Sequence, residues 1–439
     1  SISFKTPAAD DTGVFHILEH SVLCGSRKFS VKEPFVNLLK SSMQTFLNAM
    51  TFPDKTMYPV ASTNEQDLLN LMDVYLDAVF HPNIYRNEMI FEQEGWHIEE
   101  AEGERTQSGL VYNGVVFNEM KGALSDTESV LYDTLSAALF PDTTYRFESG
   151  GTPVAIPELT YEAFLDGHRR HYRPDNSFIV LYGNLDADRF LSFLDKEYLA
   201  AFNRSALGPL DINPLALQTP ITPPPVVRTM DSSPDNSCMA LGYVVSEASD
   251  VERVVAVDIL MDALVGSNEA PLKRVLLDAG IADDCKGYLA DSVRQPFAVL
   301  QIKGLATGAE DQFERLVDET MRSLAAGGLD KAIIEAALSH AEFVMREHAF
   351  GYPDGVVLSM AALSGWLYSD DGALDYIRYE DVYASLRRKL EGDYFCSLIE
   401  EVFCKSDHKA SARIKPISED VDATTETLQG RLSALSADE

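Results

Sequence analysis

A chain of 439 residues exceeds what one hydrophobic core usually supports, so two domains are expected. With 46% hydrophobic and 24% charged residues it has ordinary globular composition, which excludes wholesale disorder, and no apolar run approaches the roughly 18 residues that a membrane helix needs. Asp and Glu number 69 against 36 Lys and Arg, a net charge of −33 that repels nucleic acid phosphates and favours cationic peptides by steering, or simply keeps the chain soluble.

Five cysteines, Cys24, Cys238, Cys285, Cys396 and Cys404, form no CxxC pair, which fits buried thiols in a reducing compartment better than a disulfide framework. Cys396 and Cys404 read as two core positions on one helix. The start, Ser1-Ile2-Ser3-Phe4-Lys5, has no initiator Met and no signal-peptide pattern, so the sequence is expected to begin inside a longer protein.

In chain order, residues 65–80 place Leu68, Leu69, Met72, Leu76 and Val79 on one helical face. Residues 87–104 read as a charged helix. Residues 178–182 (FIVLY) read as a buried strand, and 186–201 as a helix capped by Asp186. Pro209, Pro214, Pro220, Pro223, Pro224, Pro225 and Pro234 cannot all sit in regular structure, so residues 203–234 are expected to be an extended linker. Beyond it, strands are expected at 238–245 and 298–303, with helices at 252–265, 271–279, 311–325 and 331–347. This order loosely repeats the one before the linker, which points to two related α+β units. The acidic, alanine-rich tail 418–439 reads as a helical connector.

The chemistry concentrates in His16-Ile17-Leu18-Glu19-His20. On a helix, positions i and i+4 share a face with i+3 beside them, so two imidazoles and a carboxylate can address one metal ion. Asp10, Asp11 and Thr12 offer helix-start chemistry and Gly25 a stop. The HxxEH order is the inverzincin signature; the plain alternative is two surface histidines on an amphipathic helix. A hydrolytic zinc site needs a third protein ligand and an open position. Glu88, Glu92, Glu94, Glu99, Glu100 and Glu119 are the candidates, most of them on what reads as the solvated face of the charged helix. Glu119 differs by following the apolar run Gly114-Val115-Val116-Phe117-Asn118, where a carboxylate is costly to bury without a cation.

Four stretches, HILEHSVLCGSRKF, FLNAMTFPDKTMYPVAS, FEQEGWH and LVYNGVVFNEMKG, resemble the M16 metallopeptidases, and among them the presequence protease and falcilysin subfamily. A weaker set, HRRHYRPDNSFIVLYGN and SNEAPLKRVLLDAGI, extends the resemblance to most of residues 10–365. It implies an α+β fold of two homologous domains, each an antiparallel-rich sheet packed with helices. The expected bounds are 1–205 for the catalytic domain, lacking its first strands, then a 206–234 linker, 235–410 for the second domain, and 411–439 for the start of a connector.

The resemblance further implies one zinc ion bound by His16, His20 and Glu119. Glu19 would be the general base that takes a proton from zinc-activated water and passes it to the leaving amine. Substrate would add as a strand along Asn48-Ala49-Met50-Thr51, with Asn48 contacting it through its side chain, or else serving as a turn former, and Ala49 through its backbone. Tyr112 stands where many wider relatives have a second glutamate, which leaves the residues behind the zinc ligands unidentified. Subfamily members close two halves around a chamber, the distal half supplying an Arg and a Tyr, so this chain is expected to be an N-terminal fragment. The partners implied are unfolded peptides, basic ones favoured, and a C-terminal half of the same polypeptide, with no nucleic acid and no membrane span. The compartment would be a bacterial cytoplasm or an organelle lumen. The alternative is a non-catalytic M16 scaffold or peptide-binding subunit; other zinc chemistry has no cofactor motif behind it. The remaining histidines, His97 and His171 included, are assigned to structure.

Overall fold

Strand β1 (Ile2–Lys5) runs through the middle of a first sheet because Ile2 and Phe4 alternate onto a face that several helices cover. The computed structural model describes residues 1–30, 40–101, 109–369, 371–417 and 423–438. Helix α1 (Val14–Val22) follows β1. Next come β2 (Gln44–Leu47), β3 (Met50–Thr51), β4 (Lys55–Tyr58) and β5 (Val60–Ser62), then helix α2 (Glu65–Phe80). The order β3-β4-β1-β8 builds the first sheet, every pair antiparallel, with β8 (Ser177–Ile179) at one edge; β2 and β5 form a separate ribbon. Helix α2 starts where the Asn64 side chain accepts from Asp67 N–H at 2.9 Å, and it buries Leu71, Met72, Tyr75, Leu76 and Val79. Each such side chain contributes about 1.5–3 kcal/mol by leaving water.

The second sheet repeats this plan. Strands β9 (Val226–Asp231), β10 (Cys238–Val244), β11 (Asp284–Ala290), β12 (Phe297–Lys303) and β13 (Lys409–Ile417) lie in the order β11-β12-β10-β13-β9. In both sheets one strand, β1 or β10, is central, a later hairpin, β3–β4 or β11–β12, pairs on one side, and a distant strand, β8 or β13, pairs on the other. Strand β9 is the addition, and it runs parallel to β13.

The two repeats exchange helices. Helix α5 (Thr127–Leu139), which precedes β8 in the chain, lays Leu131, Leu135 and Leu139 on the second sheet against Cys238, Ala240, Val299 and Ala412. The fit is close enough that a Cβ on Gly242 would meet Leu139 at 2.8 Å. Conversely, a helix at Asp354–Tyr368 lies on the first sheet, with Trp366 stacked on Phe178 at 4.9 Å and Lys5 Nζ 4.4 Å from the Trp366 ring. Among the described residues no helix is long and apolar enough to cross a membrane.

Several expectations are corrected. The strand expected at 178–182 is only Ser177–Ile179, half-buried at the sheet edge. The charged helix expected at 87–104 splits into helix α3 (Met89–Glu94), stopped at Gly95, and a ribbon of β6 (His97–Glu100) with β7 (Leu110–Asn113); residues 102–108 lie outside the described part. The proline-rich stretch contains β9, an edge strand whose inner side pairs with β13. Asp10 and Asp11 do not cap α1: Asp10 accepts from Thr12 N–H at 2.9 Å and Asp11 from Glu148 N–H at 2.8 Å, while Gly13 takes the cap position. The helices at 65–80 and 186–201 stand as expected, the latter as Ala187–Glu197 with Asp186 accepting from Arg189 N–H at 3.1 Å. The tail is helical over Ala423–Asp438, with Leu428 packed into the first core and Arg431 donating to Val154 O at 2.7 Å.

Candidate metal centre

Helix α1 presents His16, Glu19 and His20 on one face while Phe15, Ile17, Leu18 and Val22 anchor its other sides in the core. Two close backbone approaches set the neighbouring elements. Gly13 enters α1 at φ +67°, where a Cβ would meet Gly150 O at 2.5 Å. Gly114 opens helix α4 (Val115–Ala123) at φ +151°, where a Cβ would meet Gly95 O at 2.2 Å. The first contact brings the Gly150 carbonyl to His16; the second brings the end of α3 to the start of α4. Only glycine permits either.

His16 Nδ1 lies 3.0 Å from Gly150 O. A carbonyl only accepts, so this nitrogen carries the proton and Nε2 keeps its lone pair. His20 Nδ1 lies 3.4 Å from Glu94 Oε2, which selects the same tautomer. Both Nε2 atoms turn toward Glu119 Oε2, at 3.7 Å for His16 and 3.6 Å for His20. One donor atom from each of the three residues lies within 4.8 Å of the others, among the described residues the one group of three His, Cys, Asp or Glu side chains that converges so closely. Two imidazole nitrogens and a carboxylate oxygen, with the backs of both rings already engaged, fit zinc.

Glu119 corrects the expectation of a buried carboxylate. Helix α4 buries Val116, Phe117 and Met120, but the Glu119 side chain is 53% exposed, so the face opposite α1 stays open to solvent. Glu19, by contrast, is 8% exposed. Burial pushes its carboxyl up, against the opposing pull of His20, the Thr51 hydroxyl and His16. Thr51 Oγ1 donates to Glu19 Oε2 at 2.8 Å. Burial disfavours protonated His20, yet the Glu94 partner and the charges of Glu19 and Glu119 raise it overall.

Sequence reasoning named Glu94 only among the candidate metal ligands and missed its place behind His20. It is 7% exposed at the last turn of α3, and it accepts from Cys24 Sγ at 3.3 Å and Gln93 Nε2 at 2.8 Å besides facing His20. Burial alone would raise its carboxyl, but these donors hold it below the usual range. In the sequence Glu94 is one acid among many; the available signal was Gly95, which stops the helix there.

Strand β3 is the edge of the first sheet. Phe52 N–H bonds Lys55 O at 2.8 Å, so by antiparallel alternation Thr51 turns its backbone N–H and C=O outward. The Asn48 side chain accepts from Ala49 N–H at 3.0 Å, a local turn bond, and Asn48 N–H donates to Pro59 O at 3.3 Å. Asn48 therefore shapes the strand entry, and the backbone of Ala49 and Thr51 lies along the rim.

A family model described as Insulinase (Peptidase family M16) matches residues 7–121, and one described as Peptidase M16 inactive domain matches residues 158–340. The chain belongs to the M16 peptidase family. Its relatives include Protein HypA of Clostridium perfringens, 43% identical over 421 residues, covering 95% of this chain and 43% of that protein. Presequence protease 1, chloroplastic/mitochondrial, of Arabidopsis thaliana is 38% identical over 430 residues, covering 94% and 39%. The chain thus spans about two-fifths of the length of these curated relatives. A protease from Helicobacter pylori superposes with a TM-score of 0.71 at 17% identity, covering 94% of this chain and 93% of that one, and shares the two-domain M16 fold. The Insulinase match contains all of His16, Glu19, His20 and Glu119; the inactive-domain match contains none of them.

Proposed function

We propose that this chain carries the zinc site of an endopeptidase that hydrolyses unstructured peptides. The observation behind the reading is the convergence of His16 Nε2, His20 Nε2 and a Glu119 oxygen, with the Glu19 carboxyl beside them on the same helix. M16 peptidases are generally zinc-dependent, and a bound zinc ion would supply Lewis acidity toward water and the peptide carbonyl. His16 and His20 would hold the ion through their Nε2 atoms, the tautomer that the Gly150 and Glu94 contacts favour, and Glu119 would complete the set.

The substrate backbone pairs with the rim of β3 at Ala49 and Thr51, which fixes the scissile bond over α1. Glu19 takes a proton from the attacking water as the C–O bond forms, then delivers it to the leaving nitrogen as the C–N bond breaks. Its burial suits both steps, because a carboxylate held out of water binds a proton more readily than a solvated one. The acidic balance favours basic peptides. The longer relatives motivate a further partner, a second half of the same polypeptide closing over the site. We also place the two units at 1–205 and 235–410, and the protein in a reducing compartment, in keeping with five cysteines that form no disulfide.

Zinc content and peptide cleavage, measured together on wild type, His16→Ala and Glu19→Gln, test the reading. We expect about one zinc per wild-type chain, lost in His16→Ala and kept in Glu19→Gln. Cleavage in the full-length protein should fall about 10²–10⁴-fold in Glu19→Gln. Wild type without zinc under metal-replete conditions would sink the reading.

A further inference from the structure

At the tip of the hairpin that carries Thr51, a carboxylate is sealed from water. Asp54 is 0% and Lys55 3% exposed. Asp54 Oδ1 lies 3.0 Å from Lys55 Nζ, while Oδ2 accepts from both the Tyr145 and the Tyr368 hydroxyl at 2.7 Å. Lys55 Nζ goes on to donate to Ser292 O at 2.7 Å, and the Tyr145 hydroxyl accepts from Arg294 N–H at 2.8 Å. Four parts of the molecule meet on this one ion pair: the β3–β4 turn, the short turn Thr144–Arg146 that carries Tyr145, the β11–β12 connection of the second repeat, and the last residue of the helix at Asp354–Tyr368.

A buried ion pair is a poor way to gain stability, since well-packed apolar residues of the same volume often do as well. Its distinctive property is directional: the carboxylate accepts only from donors that arrive in the right geometry. The turn is rigidly tied to the rest of the hairpin. Phe52 N–H closes it on Lys55 O, Pro53 O accepts from Ala8 N–H at 3.0 Å and Thr144 Oγ1 at 3.1 Å, and Asp54 O accepts from Thr6 N–H at 2.9 Å. A displacement of Asp54 therefore reaches Thr51, three residues back, whose hydroxyl is bonded to Glu19 and whose backbone lies on the outer rim.

We propose that Asp54 is a positioning residue: gripped by Lys55, Tyr145 and Tyr368, it registers the β3 edge and Thr51 against Glu19 only when the second repeat and the Asp354–Tyr368 helix are docked. This rests on the reading of β3 as the peptide edge. In it the second repeat, which holds none of the proposed metal ligands or base, acts on the site through one carboxylate.

The test uses full-length protein with Tyr368→Phe, which removes one donor to Asp54. The control is Tyr376→Phe, which removes a comparable hydroxyl bond, to Ala248 O at 2.6 Å, without touching Asp54. Tyr368→Phe should raise KM for an unstructured peptide about tenfold with kcat within about twofold, keep its zinc, and speed amide exchange across residues 50–57, whereas the control changes none of these. Unchanged exchange in Tyr368→Phe, or equal changes in both variants, overturns the proposal. If wild type cleaves nothing, the peptidase reading fails, and the exchange comparison still decides whether Asp54 positions the hairpin.

Discussion

The two repeats share a sheet order, yet only the first has become a candidate site. After β1 the chain enters a short helix at a glycine, with both histidines backed by acceptors and an acid arriving from α4. After β10 it enters Val251–Val265, a longer helix starting at Asp250, whose buried residues are almost all aliphatic and whose acids Asp258 and Asp262 lie along a groove with His340 and Tyr288. The difference lies less in the strands than in what crowds the helix. In the first repeat, Gly13 and Gly114 admit backbone within a Cβ's reach, and this brings Gly150 and Glu94 behind the rings. One architecture thus serves as a chemical site or as a scaffold, depending on a few close approaches.

The sharpest way to break the comparison is to make matched changes in both helices. His16→Ala should abolish zinc binding and with it cleavage, while Asp258→Asn with Asp262→Asn should leave zinc content and turnover as they were; zinc loss in the second variant would show that the repeats do not divide their roles. Next comes the exchanged helix. Leu135→Ala opens a cavity between α5 and the second sheet and should cost about 2–5 kcal/mol of unfolding free energy by denaturant titration. A loss below about 1 kcal/mol would mean that α5 is not part of the second core.

Glu94→Gln is a subtler change, because the amide can still accept from His20 but no longer carries charge. Zinc affinity should fall about 10–100-fold in a chelator competition, and an unchanged affinity would remove Glu94 from the site. The smallest effect is in pH. His168 and His171, both buried in the first repeat, are held neutral, each lowered from 6.5 to about 4 by burial. In that window the unfolded chain binds more protons, so stability is complete above 6.5 and lost as pH falls toward 4. From about pH 7.5 to 5.5 each should remove about 1 kcal/mol, and His168→Asn should reduce the total loss by about that amount. An unaltered slope would contradict the assignment.

The amphipathic helices were legible because periodicity and caps are local: the apolar stripe of residues 65–80 and the Asp186 cap needed no tertiary information. His16, Glu19 and His20 were legible for the same reason, being one helical turn. Glu119 needed the family resemblance, and its exposure was misjudged because the apolar run before it buries the other face of α4. Glu94 and Thr51 were both named from the sequence, but their contacts with His20 and Glu19 were not legible, since these depend on elements meeting across the core. Strand β9 was hidden by the prolines on either side of it, Pro223-Pro224-Pro225 and Pro234, although it contains none itself, and its partner β13 lies far along the chain.

The grip of Tyr368 on Asp54 also bears on how the chain is made. These residues are 314 positions apart, and β9 waits for a partner beginning at Lys409. On a ribosome the first sheet has all its strands once Ile179 has emerged, but Asp54 then has only Lys55 and Tyr145 for company. Its last donor comes with the Asp354–Tyr368 helix, so synthesis order keeps the β3 hairpin incompletely held until most of the second repeat exists.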